Sequence, residues 1–295
     1  MFFKFLTSLK NGFKLTAVSF KFIRDHMKLI IFPVLKMIAL ISAAGLFFIG
    51  CFYSLVVFMS LIGIVNPNDT VIGKVVLGGT IITLLFLFII LFKTVNSYFN
   101  IAIITYVAAL LNHENASIGY SLKNSSYRIV PIVQWTSLNT VASMLKNFFS
   151  GNRQSTSLLA ESLYVIWSMG TLFVEPIIAE ENLSLMDVLK KSVKLIKNAF
   201  GEVVGATTGF GMLKGIILTL GWGGLYLFST LTEKIEHTSS HAIIITIVIA
   251  FVLFFLFQLI SLADYIFRTA VYQYACRKNS GPFSEHLIKT SFVTK

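Results

Sequence analysis

The feature that most restricts this chain is the length of its apolar runs. Leu29 to Val65 is interrupted by a single charge, Lys36, and Val75 to Leu111 by a single charge, Lys93. A helix crosses the hydrocarbon of a bilayer in about 20 residues. Each run is therefore long enough to span, with turns left over for tilt or for an interfacial end. A helix on a water-soluble core keeps one polar face, and these runs leave no room for one. Composition agrees: the chain is 56% hydrophobic and 13% charged, with a mean hydropathy of +0.80. Soluble domains carry roughly 25% charged residues, so ordinary soluble enzymes, disordered tails and nucleic-acid modules are excluded.

Four more segments follow. A more polar one covers 129–149, and others cover 158–179, 203–231 and 242–275. The turn signals Asn66-Pro67-Asn68-Asp69 and Ser150-Gly151-Asn152-Arg153 separate neighbours. The second segment is expected to protrude from the membrane or to bend near Gly78-Gly79. The fifth is rich in glycine (Gly205, Gly209, Gly211, Gly215, Gly221, Gly223, Gly224), and 205–209 matches GxxxG, a pattern that lets helices approach closely in lipid.

The formal net charge is +11. On a soluble chain that would suggest nucleic acid, but no aromatic-basic motif accompanies it, and the cations flank apolar runs. With six spans and both termini cytoplasmic, sixteen lysines and arginines fall in the cytoplasmic segments and four in the opposite gaps. That asymmetry sets the orientation. The two cysteines, Cys51 and Cys276, imply no disulfide framework. The N-terminal cations interleave with Phe and Leu and no small-residue cleavage site follows, so a cleaved signal peptide is not expected.

A short pattern recurs ahead of the odd spans: Leu9-Lys10-Asn11-Gly12, Leu122-Lys123-Asn124-Ser125 and Leu189-Lys190-Lys191-Ser192. The third lies in 184–199, where Ser184 is an N-cap candidate. Leu185, Val188, Leu189, Val193, Leu195 and Ile196 outline an apolar face opposite lysines. Such helices lie in the headgroup layer, and Lys190, Lys191, Lys194 and Lys197 suit anionic lipid. The chain thus reads as three units, each an interfacial helix plus a helical hairpin.

Ionisable groups inside a span cost a few kcal/mol on insertion scales, which makes each a functional candidate. Span two has Lys93, with Asn96 and Asn100 at helical spacing. Span four has Glu161, Tyr164, Ser168, Thr171 and Glu175 along one face. Span six has Gln258, Ser261, Asp264 and Arg268, the last two placed to pair. Lys93 and Arg268 balance Glu175 and Asp264, which fits a buried ion network between the even helices. Its functional reading is a cytoplasm-facing cavity that binds a polar substrate or relays protons. The alternative is a structural cluster, or chains snorkelling to the interface.

His237 and His241, near Glu233 and Glu236, have metal-compatible spacing, but Thr238-Ser239-Ser240 argues for a solvated loop. His26, His113 and His286 stand alone beside polar neighbours. No activated Ser or Cys and no phosphate loop is present. Asn68-Asp69-Thr70 matches a glycosylation sequon, relevant only in a secretory-pathway host.

Several stretches also form an ordered pattern: Asp25 to Pro33 (DHMKLIIFP), Phe99-Asn100 with Ala102, Trp167 to Pro176 (WSMGTLFVEP), and Ser192 through Gly205 with Phe200-Gly201-Glu202. Phe267 to Ala275 (FRTAVYQYA) follows, then Gly281-Pro282-Phe283 and Leu287. In these the chain resembles a family of prokaryotic six-span membrane proteins known only as a domain of unknown function. It is also similar in layout to the membrane domains of glycerophosphodiester phosphodiesterases. No hydrolase motif accompanies that likeness, so the activity does not carry over. Glu175 departs from the family pattern, where an apolar residue is expected.

The expectation is a single all-α, polytopic helical membrane bundle over 1–295, with about six transmembrane helices and amphipathic interfacial helices before the odd-numbered spans. It is placed in the inner membrane, with a cytoplasmic segment 1–28 and tail 276–295. The expected function is non-enzymatic and transport-related or membrane-organising. The rivals are a small-solute or ion permease and a lipid-modifying enzyme. Expected partners are the bilayer, its anionic headgroups, and a second copy or another membrane protein; no cofactor, metal or nucleic acid is expected.

Overall fold

A computed structural model describes residues 16–62, 71–150, 154–233, 240–276 and 283. Every regular element among them is helical. Helix α1 covers 16–25, and a 3-10 turn, Met27–Ile30, leads into α2, Ile31–Ile62. Then come α3 (Val71–Leu111), α4 (Ile118–Tyr127), α5 (Ile129–Ser150), α6 (Gln154–Gly170), α7 (Val174–Glu180), α8 (Leu185–Glu233) and α9 (Ser240–Ala275). Among the described residues, four stretches are long and apolar enough to cross a membrane: Met27–Ser54, Gly78–Leu111, Leu158–Glu180 and Ile244–Ala275. A shorter apolar stretch, Phe210–Gly221, lies in α8. The chain is thus all-helical and of multi-pass membrane type. The segment 129–149, expected as a span, forms α5 but does not belong to that set, because Gln134, Thr136, Asn139, Thr140 and Lys146 dilute its apolar character.

The helices pack as three sequential hairpins, α2 with α3, α5 with α6 and α8 with α9, and α3 is central, also touching α4, α5, α7 and α9. Burial is concentrated at one end. Phe22, Leu29, Phe32, Ile101–Ile104, Phe173, Ile177, Val188, Phe267 and Tyr272 all belong to one core. At the other end Phe48, Phe52, Ile82, Phe148, Leu163, Leu220 and Ile247 are exposed. Apolar exposure on that scale would aggregate in water and suits hydrocarbon. The change of character is abrupt: in α3 Phe92 is 37% exposed and Ser97 2%, and in α9 Leu256 is 40% exposed and Gln258 6%.

Two expectations about the elements are revised. The fourth span is not one helix: α6 ends at Gly170, residues 171–173 form a turn, and α7 begins at Val174. Pro176 explains this. It has no N–H to offer the carbonyl of Leu172, and its ring clashes there, yet it is tolerated within a first turn. Ser192 of α8, fully buried, closes the break: its Oγ accepts from the Phe173 N–H at 3.3 Å and donates to the Gly170 carbonyl at 2.7 Å.

The stretch 184–199 is likewise not a separate helix. It forms the first turns of α8, whose 49 residues rise about 73 Å, more than twice the ~30 Å hydrocarbon thickness. Gly201 alone is too weak a breaker to interrupt it. Ser184 does cap it, accepting from the Asp187 N–H at 3.3 Å. Val188 and Ile196 of the expected apolar face are buried, while Val193 is exposed. The second segment is a single helix, α3, assigned helical through Gly78-Gly79.

Within the chain, most of the described glycines of α8 meet no neighbour. A Cβ on Gly211, Gly215, Gly223 or Gly224 would meet nothing within 4 Å, and only Gly221, of those described, lies against a neighbour, Leu253 of α9. The surroundings of Gly205 and Gly209, like the 66–69 turn, the Asn68 sequon, the 9–12 repeat, Ser150-Gly151-Asn152-Arg153 beyond Ser150, and His237, lie outside the described residues.

Candidate functional site

Where the exposed half of the bundle meets the packed half, α3, α5, α6, α7 and α9 enclose a polar cavity of about 280 Å3. Its lining includes Lys93, Asn96, Ser97 and Asn100 from α3, Trp135, Thr136 and Asn139 from α5, and Tyr164 and Ser168 from α6. Thr171 and Leu172 come from the break, Glu175 from α7, and Tyr265 and Arg268 from α9. The polar faces read on spans two, four and six thus converge, and α5 adds a fourth.

One side of the cavity is a closed hydrogen-bond network. Glu175 accepts from Ser97 Oγ at 2.6 Å and from Asn100 Nδ2 at 3.3 Å. Asn100 also donates to the Tyr265 hydroxyl at 2.6 Å and accepts at its Oδ1 from Lys36 Nζ at 2.9 Å. Asn100 is therefore the bridge between a buried ammonium and a half-buried carboxylate. Behind Arg268 lies an ion triad. Arg268 grips Asp264 through Nε and Nη2, each at 3.0 Å, and Lys214 of α8 donates to the same carboxylate at 2.9 Å. Asp264 is almost fully buried and does not line the cavity.

The opposite side is less occupied. Lys93 Nζ reaches the Ser143 hydroxyl at 3.4 Å and makes no carboxylate contact among the described residues. Asn139 accepts from the Trp167 indole N–H at 3.2 Å; because an indole can only donate, this fixes the amide and leaves its NH2 as a donor. Trp167 stacks on Trp135 at 6.2 Å.

Sequence reasoning located Lys93, Asn96, Asn100, Glu175 and Arg268 on this cavity and Asp264 against its wall. It misplaced Glu161, which is exposed on α6 and outside the cavity. The expected neutral balance is also corrected. Lys36 and Lys214 join the network, giving four cations against two carboxylates among the described residues. Both carried the same signal as Lys93, a lone cation in an apolar run. Tyr265 and Asn139 carried none.

Of the four lysines assigned to lipid, Lys190, Lys194 and Lys197 are exposed, whereas Lys191 binds Glu181. Glu181 is the centre of a second network at the packed end. It also accepts from the Tyr272 hydroxyl at 2.7 Å, and its backbone carbonyl accepts from Arg128 at 2.7 Å. Gln273 donates to the neighbouring Glu180. No group of three or more potential metal ligands occurs among the described residues.

A helical bundle of multi-pass membrane type, with a polar cavity where its exposed and packed halves meet, is the class defined by this geometry. The chain belongs to a family of unknown function, DUF6159, whose sequence profile matches residues 79–283. That match takes in the cavity lining from Lys93 to Arg268 but not Lys36, nor the Asp25 to Pro33 stretch. Neither the curated proteins nor the solved structures contain a match to this chain.

Proposed function

We propose that this protein is a non-enzymatic, transport-related membrane component that admits a small polar solute to the cavity between α3, α5, α6–α7 and α9. The observation that carries this reading is the convergence of polar side chains from four helical segments on one cavity, at the depth where lipid-facing surface ends. A purely structural network would be expected to close on itself, as Glu175 and Asp264 do. Lys93, Asn96 and Asn139 instead line open space. The apolar half of the bundle is placed in the inner-membrane hydrocarbon, with α5 and α8 completing six spans and both termini on the cytoplasmic side. The excess of lysine and arginine in the packed-end segments supports that orientation. Lys190, Lys194 and Lys197, beside exposed Met186 and Val193, form an amphipathic face suited to anionic headgroups.

The test is water access. In a chain with Cys51 and Cys276 replaced by alanine, Ser168→Cys is expected to react with a hydrophilic maleimide in intact vesicles. Saturating concentrations of a bound solute should slow that reaction. A variant that folds as wild type yet stays unlabelled removes the cavity reading.

A further inference from the structure

We infer that the cavity takes an anion, a phosphate or carboxylate group, with Lys93 as the residue that reads its charge. This deepens the solute-binding reading above and rests on it.

The charge pattern is the first argument. Each carboxylate near the cavity is already committed: Glu175 accepts from Ser97 and Asn100, with Lys36 behind Asn100, and Asp264 is shared between Lys214 and Arg268. What remains uncompensated among the described residues is positive. Lys93, half-buried on the cavity wall, has only a hydroxyl at 3.4 Å. An ammonium held at the edge of hydrocarbon without a counter-charge is unfavourable, and a bound anion offsets that cost.

The second argument is the supply of donors. Asn139 is turned by the Trp167 indole so that its NH2 is left to donate. Arg268 spends Nε and Nη2 on Asp264, which leaves Nη1 N–H groups on a side chain that lines the cavity. Asn96 adds an amide on the same helix face as Lys93. Convergent N–H donors around a cation suit acceptor-only ligands, because phosphate and carboxylate oxygens use every one of them. A volume of about 280 Å3 accommodates a free phosphate or small carboxylate, or a lipid headgroup entering from the exposed half.

The experiment uses full-length protein in nanodiscs and follows thermal unfolding. In discs of neutral phosphatidylcholine, inorganic phosphate is titrated; a second set of discs contains phosphatidylglycerol without added phosphate. A saturable rise in unfolding temperature is expected in at least one arm. Lys93→Met should weaken it tenfold or more, and Lys93→Arg should restore it. Stabilisation by free phosphate assigns a soluble anion, and stabilisation only by phosphatidylglycerol assigns a headgroup. If neither anion stabilises wild type, or if Lys93→Met responds as wild type does, the anion assignment is overturned. Glycerol in the neutral discs separates the two readings. Protection by glycerol but by neither anion leaves a polar-solute cavity standing without its anion preference.

Discussion

Lys93 and Asp264 show how two ionisable residues on apolar helices face different physical problems. Asp264 is surrounded: two cations and almost no solvent hold it, and each partner depends on it. Removing its charge leaves Lys214 and Arg268, both half-buried, without their carboxylate, a change that costs about 3–5 kcal/mol when the pair is fully buried. Asp264→Asn is therefore expected to lower folded yield and the unfolding temperature in detergent markedly. Lys93 has no such dependants and only one long, part-buried hydroxyl contact, so Lys93→Met should unfold at or above the wild-type temperature. Equal losses in the two variants would mean that Lys93 belongs to the structural network after all. The sequence flagged both residues by the same rule, the price of a charge in an apolar run. It separated them only in part: Arg268 lies one turn from Asp264, but Lys214 and Ser143, the partner of Lys93, are each 50 residues away in the chain.

At the scale of elements, the broken fourth span is the feature that shapes the cavity. Pro176 stops the α-helical ladder, the turn at 171–173 redirects the chain, and Glu175 enters the cavity from the first turn of α7. The proline was visible in the sequence, yet apolar continuity argued for one helix through 158–179. What makes the break tolerable is Ser192, a residue of another helix that satisfies one donor and one acceptor at the gap. Ser192→Ala leaves both with less support in a buried setting, and a loss of about 1–3 kcal/mol is expected from equilibrium unfolding. A change under a few tenths would mean that the two ends of the gap find other partners. The same lesson applies to α8: amphipathic patterning announced a helix over 184–199, and capping at Ser184 fixed its start. Whether it joined the next segment depended on the absence of a strong breaker, which periodicity does not weigh.

For the whole molecule, the uneven burial gives the protein a direction. The packed end draws α1, α4, α7 and the ends of α3 and α9 into one core, knotted at Glu181 by Lys191, Tyr272 and Arg128. The opposite end offers apolar side chains that only lipid can cover. If the packed end faces the cytoplasm, a fluorescent protein fused after Lys295 should be bright in cells, and an exported phosphatase fused there should be inactive. The reverse pattern would invert the orientation inferred from charge. The all-helical, membrane-crossing character was legible because it depends on local hydrophobicity along the chain, which requires no knowledge of neighbours. So were the polar stripes, since helical spacing alone sets a face. The tertiary structure decided where those stripes meet, that Lys36 and Lys214 join them, and that Glu161 does not. It also decided that one carboxylate is walled in while one ammonium is left facing open space. These are consequences of which helix lies beside which, and such pairings are set by packing between segments remote in sequence, which no single run of residues encodes.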